Sequence, residues 1–256
     1  SLVNRASCNR LLGHKRDAMK DLEAAHEISP GEQEIVSLYM TALLQEGEVD
    51  KALSLFSSCA AASTDVHLVV LYGTGLFQRG DAQDLNLAAS ATAECLDRLS
   101  SVDTNDAIEL AVLHLQVLAA REDMNGVGEA LEELCSKTKS ASLNLLLRAH
   151  KAALVGSFEE GVSTLKRLEE ADSSSWPRSL HRHIPLLYER LGAHTEAVRS
   201  WRGLLEANRL TTDTLTLLRV ARQVDDDDTI LTICEAIRDN EVIDQRLVHL
   251  ELEVLI

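Results

Sequence analysis

Residues 1–30 read SLVNRASCNRLLGHKRDAMKDLEAAHEISP, and small residues recur in this stretch at fixed distances from a glycine. Ala6 lies seven residues before Gly13, Ala18 lies five residues after it, and Pro30 ends the stretch. Two antiparallel helices joined by a short turn can approach closely only where their side chains are small, and glycine favours the end of the first helix. The spacing therefore predicts a helix–turn–helix hairpin.

The same spacing returns in later segments of the chain. Each copy has a turn glycine followed by a small residue and then a large apolar one, in the order that the first segment sets. The clearest copies, with their turn glycines, are residues 34–59 (Gly47), 143–168 (Gly156) and 183–208 (Gly192). Several copies in the same phase are much stronger evidence for a repeat than one.

Other copies are degenerate. The copy around Gly80 has a longer second helix, and residues 216–237 carry acidic residues in place of the turn glycine. Residues 109–134 fit the repeat only if three apolar residues take the packing positions. These three residues are Val127, Leu131 and Leu134.

This pattern resembles the tetratricopeptide repeat (TPR), a unit of about 34 residues. The resemblance covers nearly the whole chain and implies an all-α fold, a TPR-type α-solenoid of about seven helix-turn-helix pairs that forms a right-handed superhelix. The expected pairs are 1–32, 33–64, 65–103, 104–140, 142–174, 176–209 and 211–241, followed by a terminal helix at 243–256. We expect a single domain over 1–256 that is part of a longer protein. A plain helical bundle or another α-solenoid is the alternative, although a bundle predicts no fixed period.

Composition agrees with an all-α protein and limits its partners. Hydrophobic residues make up 45% of the chain, which is enough for a core, while aromatic residues stand at 3% and prolines number 3. The net charge of −16 disfavours binding to nucleic acid. The 5 cysteines are odd in number and contain no CxxC pair. They predict free thiols in a reducing compartment, the cytoplasm or the nucleus. The chain has no apolar run long enough to predict insertion into a membrane.

The sequence offers no catalytic or metal-binding pattern, so we expect neither an enzyme nor a cofactor. His181 and His183 are two residues apart, which places them on different faces of a helix, and a solvated helix start explains them better than a metal site. Pro185 predicts a kink in that helix or a late helix start. The acidic run Asp225–Asp228 fits the N-terminus of the helix that follows, because it lacks the spacing of a calcium loop.

The TPR resemblance implies that the first helices of the pairs line a concave groove. The residues that its register places in this groove near the end of the chain are His150, Arg182, Leu186, Arg219 and Arg222. Most of them lie in residues 141–220, which hold 11 Lys and Arg against 9 Asp and Glu in an otherwise acidic chain. Arginine binds carboxylates through two hydrogen bonds, so these side chains predict a groove for an acidic peptide. Pairing with acidic residues on adjacent helices is the alternative.

The first copy also resembles a more specialised group. Its NRA sequence is similar to the second repeat of the TPR domains of Hsp70/Hsp90 co-chaperones, where the asparagine that matches Asn4 helps to hold a C-terminal carboxylate. The next repeat should then present Lys and Arg, but Glu34 and Leu38 stand at those positions. The sequence therefore argues against a clamp for chaperone tails, although Asn4 stays a candidate groove residue.

The sequence as a whole predicts a scaffold or adaptor that binds partner proteins or peptides through the concave groove. The alternative is a constitutive structural subunit of a larger multiprotein complex. A co-chaperone and an enzyme are less favoured.

Overall fold

The computed structural model describes residues 1–11, 14–59, 62–171 and 176–206, together with the single residues 221 and 226. Every regular element in these ranges is helical. The helices are α1 (Leu2–Leu11), α2 (Lys15–Ile28), α3 (Gln33–Gln45), α4 (Val49–Ser58), α5 (Val66–Arg79), α6 (Ala82–Arg98), α7 (Asn105–Ala120), α8 (Met124–Lys137), α9 (Ala141–Val155), α10 (Phe158–Glu169), α11 (Arg178–Arg190) and α12 (His194–Glu206), with a short 3-10 turn at Ala62–Thr64.

The helices pack in sequence as six hairpins, from α1 with α2 to α11 with α12. Glycines in the left-handed region form four of the turns between the two helices of a hairpin, as the sequence predicts. These are Gly47, Gly80, Gly156 and Gly192, with φ angles between 71° and 79°. The fourth hairpin uses Glu122 at a φ of 60° instead. The predicted all-α fold of consecutive helix pairs is confirmed, whereas the seventh pair at 211–241 and the terminal helix at 243–256 lie outside the described residues.

Small residues occupy the helix crossings, as their spacing predicts. Ala6, Ala18, Ala52, Ala149 and Ala197 are each no more than 1% exposed. The three apolar residues assigned to packing positions in the degenerate fourth copy are the buried residues of α8. Burial at these positions removes apolar surface from water and lets the paired helices approach closely.

Helix α7 is the centre of the larger core. Its residues from Leu110 to Leu115 are all buried, so it shows no polar face over nearly two turns. A helix that is apolar on all sides must be surrounded by other elements. Helix α7 contacts α5, α6, α8, α9 and α11.

Helix α11 runs without interruption from Arg178 to Arg190 and contains Pro185 in its interior. The prediction of a late helix start is therefore wrong, because the helix begins seven residues before the proline. Proline has no backbone N–H, so Pro185 cannot donate the usual hydrogen bond to the carbonyl four residues before it. No helix among the described residues is both long enough and apolar enough to cross a bilayer.

Candidate binding surface on the inner face

The first helices of successive hairpins define one face of the molecule. Helices α3, α5, α7, α9 and α11 contact one another in that order, and α7 also contacts α11, which lies two hairpins further along. Helices two repeats apart can touch only on the inside of a bend. We call this side, formed by the first helix of each hairpin, the inner face.

The contact between α7 and α11 includes an unusual helix cap. The residue before α11 is Pro177, which has no side-chain acceptor for the free N–H groups of the first turn. Asn105, at the start of α7, supplies that acceptor instead. Its Oδ1 accepts hydrogen bonds from the backbone N–H and the hydroxyl of Ser179, each at 3.0 Å. A side chain from α7 thus caps a helix that lies 74 residues away in sequence.

Two histidines and a glutamate lie deeper in the same contact. The ring of His150 on α9 meets the ring of His183 on α11 edge to face, with their centroids 5.0 Å apart. Nε2 of His183 lies 3.2 Å from Oε1 of Glu109 on α7. His183 is only 8% exposed, so the interpretation of this segment as a solvated helix start is wrong for His183. His181, by contrast, is half-buried beside the ring of Trp176.

Burial acts on the pKa values of His150 and Glu109 in this cluster. It lowers the pKa of His150 well below the usual value of 6.5, and the charges of His183 and Arg190 act in the same direction. Neither ring nitrogen of His150 has a hydrogen-bond partner among the described residues. Burial by itself would raise the pKa of Glu109, but its contact with His183 and the positive charges nearby outweigh burial and lower it.

The inner face is closed at one end of the described structure and open at the other. Equivalent positions of the repeats are those at the same distance before the turn residue of each hairpin, from Gly47 to Gly192. In α7, α9 and α11 half of these inward positions are buried. They are Val112, Leu113, Leu146, Leu147, His150 and His183. In α3 and α5 nearly all the equivalent positions are only partly buried. They are Ser37, Leu38, Thr41, Val70, Leu71, Thr74 and Phe77.

The predicted groove residues fall into three groups. His150 is 2% exposed and lies inside the closed part of the inner face. Arg182 is exposed and Leu186 half-buried on α11, near the same closure, while Asn4 is exposed on α1 at the other end of the described structure. Arg219 and Arg222 lie outside the described residues. A role in peptide binding stays a prediction for all of them.

Sequence reasoning missed Asn105 and Glu109 as partners of α11. No local pattern marks them, because the contact depends on how three hairpins stack. The described ranges contain no group of three or more His, Cys, Asp or Glu side chains placed to hold a metal ion.

Comparison with known proteins supports the fold. No protein-family model and no curated protein sequence matches the chain. Among solved structures, a tetratricopeptide repeat protein from Parabacteroides merdae matches with a TM-score of 0.50 and 12% identity, over 97% of this chain and 95% of its own. Naa15/Naa10 bound to HypK-THB matches with a TM-score of 0.41, 15% identity and coverage of 96% and 37%. The Cut9–Hcn1 complex matches with a TM-score of 0.38, 13% identity and coverage of 97% and 54%. The chain thus has the fold of a TPR-type helical-repeat protein.

Proposed function

We propose that this chain is a protein–protein interaction scaffold that holds a segment of a partner protein along the inner face of α3 and α5. One observation supports this proposal above the others. More of the equivalent repeat positions are buried in α7 and α9 than in α3 and α5, where all but one stay partly exposed. Repeat proteins use such extended surfaces for binding, since each repeat contacts only its neighbours and leaves a long face free.

The chemistry of this open part of the inner face suits a mainly apolar segment. Leu38, Val70, Leu71 and Phe77 are partly buried apolar residues that pack against the cores. Thr41 lies among them, and its hydroxyl donates to the carbonyl of Ser37. A partner that covered this strip would bury apolar surface without separating charges from water.

An acidic segment is the finer proposal for the other end of the inner face. Arg182 is exposed beside the closure. The register of the sequence predicts inward positions for Arg219 and Arg222, which lie outside the described residues. Guanidinium groups bind carboxylates through paired hydrogen bonds. Arg182 is also close enough to Glu109 for its charge to lower the pKa of that carboxyl, so part of its charge is already used within the protein.

A constitutive subunit of a larger complex is the second candidate. Large apolar side chains stay exposed on surfaces other than the inner face, with Ile28 at 74% and Phe158 at 53%. A permanent partner would cover such residues. The cytoplasmic or nuclear location expected from the cysteines stays a prediction.

The inner-face proposal can be tested by placing bulk and charge on the open strip. In the double variant Thr41→Arg and Thr74→Arg, two long side chains would project from α3 and α5 where the partner is expected to lie. Ser54→Arg adds the same side chain to an exposed position of α4, a second helix, and serves as the control.

Each protein would be purified from its own cell type and the co-purifying proteins quantified by mass spectrometry. Recovery of partners with the double variant should be at least about tenfold lower than with wild type or Ser54→Arg. A tenfold change corresponds to about 1.4 kcal/mol of binding free energy. Equal recovery in all three, with unchanged helicity by circular dichroism, would contradict binding at this face.

A further inference from the structure

A groove lies on the turn side of the last two described hairpins, away from the open inner face. It lies between the first half of α10 and the turn that joins α11 to α12, and its volume is about 420 Å³. Its lining residues are Phe158, Glu159, Val162, Ser163, Lys166, Leu191, Gly192 and Ala193. We call this feature the turn-side groove. Its volume lies within the range of about 300–1,000 Å³ that ligand clefts span.

A close helix contact forms the floor of the turn-side groove. Gly161 on α10 faces Leu191, and a Cβ at that glycine would lie 2.7 and 2.8 Å from the two methyl carbons of Leu191. The absence of a side chain at Gly161 therefore lets α10 approach the end of α11. Leu191 is 7% exposed and provides an apolar floor.

The rim of the groove exposes apolar surface that the fold itself does not use. Phe158 begins α10 and is 53% exposed, and Val155, which ends α9 on the other side of the turn, is 43% exposed. Phe158 lies two residues after the turn glycine Gly156, and its ring does not enter the core. An aromatic ring beside an apolar groove gains stability if a partner covers it.

The charges around the groove are acidic once internal pairs are taken into account. Lys166 is the cation that lines the groove, and its Nζ already lies 3.0 Å from Oε1 of Glu196. Glu159 lines the groove and Glu160 follows it in the first turn of α10, and both are exposed. Neither carboxylate has an ion-pair partner within the described part of the chain. A cationic partner would therefore find two carboxylates available, while the charge of Lys166 is paired with Glu196.

We propose that the turn-side groove binds a segment of another protein in which a large apolar side chain is flanked by lysines or arginines. The apolar side chain would pack on Leu191 and against the ring of Phe158. The flanking cations would pair with Glu159 and Glu160. This site is independent of the inner face of α3 and α5 proposed above, because it lies on different helices and combines apolar surface with exposed carboxylates.

Charge also argues against two other occupants. A second copy of this chain would bring a net charge of −16 to an acidic rim. The C-terminal segment of the chain itself, residues 221–256, holds 3 Lys and Arg against 10 Asp and Glu and would be repelled as well. A basic segment of a different protein avoids both penalties, and the net charge of the chain would attract it from a distance.

Fluorescence anisotropy with labelled synthetic peptides tests this proposal on the full chain. The probe is the hexapeptide KKWLKK, compared with EEWLEE, which reverses the charge, and with KKGGKK, which lacks the apolar residues. Wild type should bind KKWLKK at least about tenfold more tightly than either comparison peptide, as expected for a site that needs both an apolar anchor and charge pairing.

Matched variants locate the binding site. Phe158→Ser and Glu159→Lys should each weaken binding of KKWLKK by about tenfold, in the range expected for an aromatic anchor or a charge pair. The controls Leu87→Ser, at an exposed leucine of α6, and Glu129→Lys, at an exposed glutamate of α8, make the same chemical changes elsewhere and should leave binding unchanged.

Similar affinity for all three peptides would overturn the proposal, as would equal effects of the groove variants and their controls. Loss of peptide binding in the Thr41→Arg and Thr74→Arg variant, with binding retained in Phe158→Ser, would place the peptide on the inner face and overturn the proposal too. All substituted positions in the groove are exposed, so circular dichroism should show unchanged helicity in each variant.

Discussion

Two histidine rings, His150 and His183, lie edge to face where α9 meets α11, and burial keeps them from water. His150 is one of the residues that the TPR resemblance places in the concave groove. Here the neighbouring helix covers it, because α7, α9 and α11 contact one another. At the scale of the residue, the environment rather than the residue type decides whether a histidine binds a partner or belongs to the core.

Acid should destabilise the protein through His150. Burial lowers its pKa in the folded state, whereas the unfolded chain protonates it near pH 6.5, so below that pH the unfolded state binds more protons. The free energy of unfolding should therefore fall as the pH drops from 7 to 5, by at most about 1.4 kcal/mol per pH unit for this group. The carboxyl of Glu109 acts in the same direction only at lower pH, since its pKa is lowered from 4.5.

Urea denaturation of wild type and His150→Leu at pH 7 and pH 5 measures this effect. Leucine cannot titrate, so the variant should lose less stability between the two pH values than wild type. The pKa of His114 is also lowered by burial. Its contribution to the pH dependence of stability is the same in both proteins and cancels in the comparison. The same loss in both proteins would show that His150 does not control the pH dependence.

At the scale of the element, α7 and α11 depart furthest from independent hairpins. Helix α7 is buried on nearly all sides. The residue before α11 is Pro177, whose side chain cannot cap the helix. Asn105 connects the two, since its side chain satisfies the first turn of α11 from a different hairpin. The start of α11 therefore depends on the position of α7.

Asn105→Ala should reduce the free energy of unfolding by about 1–2 kcal/mol, because two hydrogen bonds are lost and a helix cap is removed. The control is Asn125→Ala, at an exposed asparagine in the first turn of α8. That substitution should change stability by no more than about 0.5 kcal/mol. Urea denaturation of the three proteins gives the comparison, and an equally small effect at both positions would show that the bonds to Ser179 contribute little.

At the scale of the whole molecule, the core is divided unevenly. One large cluster of buried residues extends from Leu53 to Ala221 and includes most of the buried residues of α7 and α9. Two smaller clusters, which include Leu22 and Val36, hold α1 to α5 together. Local stability in a repeat protein follows the contacts that each repeat makes with its neighbours. The first two hairpins should therefore open more readily than the rest.

Hydrogen exchange followed by mass spectrometry should show this difference. After correction for intrinsic exchange rates, amides of α7 should exchange most slowly and those of α1 and α2 fastest among the described helices. The physical reason is that α7 opens only when five surrounding helices separate from it. Equal protection of α2 and α7 would mean instead that the molecule opens as a single cooperative unit.

Much of the fold could be predicted from particular residues. Gly47, Gly156 and Gly192 mark turns, and Ala52 and Ala197 mark helix crossings, because each acts within its own hairpin. The assignment of Val127 and its neighbours to packing positions was right even in the most degenerate copy. The solvated position expected for His183 was wrong because Glu109 and His150, on other hairpins, surround it.

The sequence by itself determined that the chain forms consecutive helical hairpins. The residues that specify a hairpin lie within about 34 positions of one another, and the size of a side chain or a positive φ acts locally. Only the tertiary structure decided which part of the inner face is open. That outcome depends on contacts between hairpins, such as the one between Asn105 and Ser179, which lie 74 residues apart in sequence. Inward positions are more often buried in α7, α9 and α11, near this contact, than in α3 and α5.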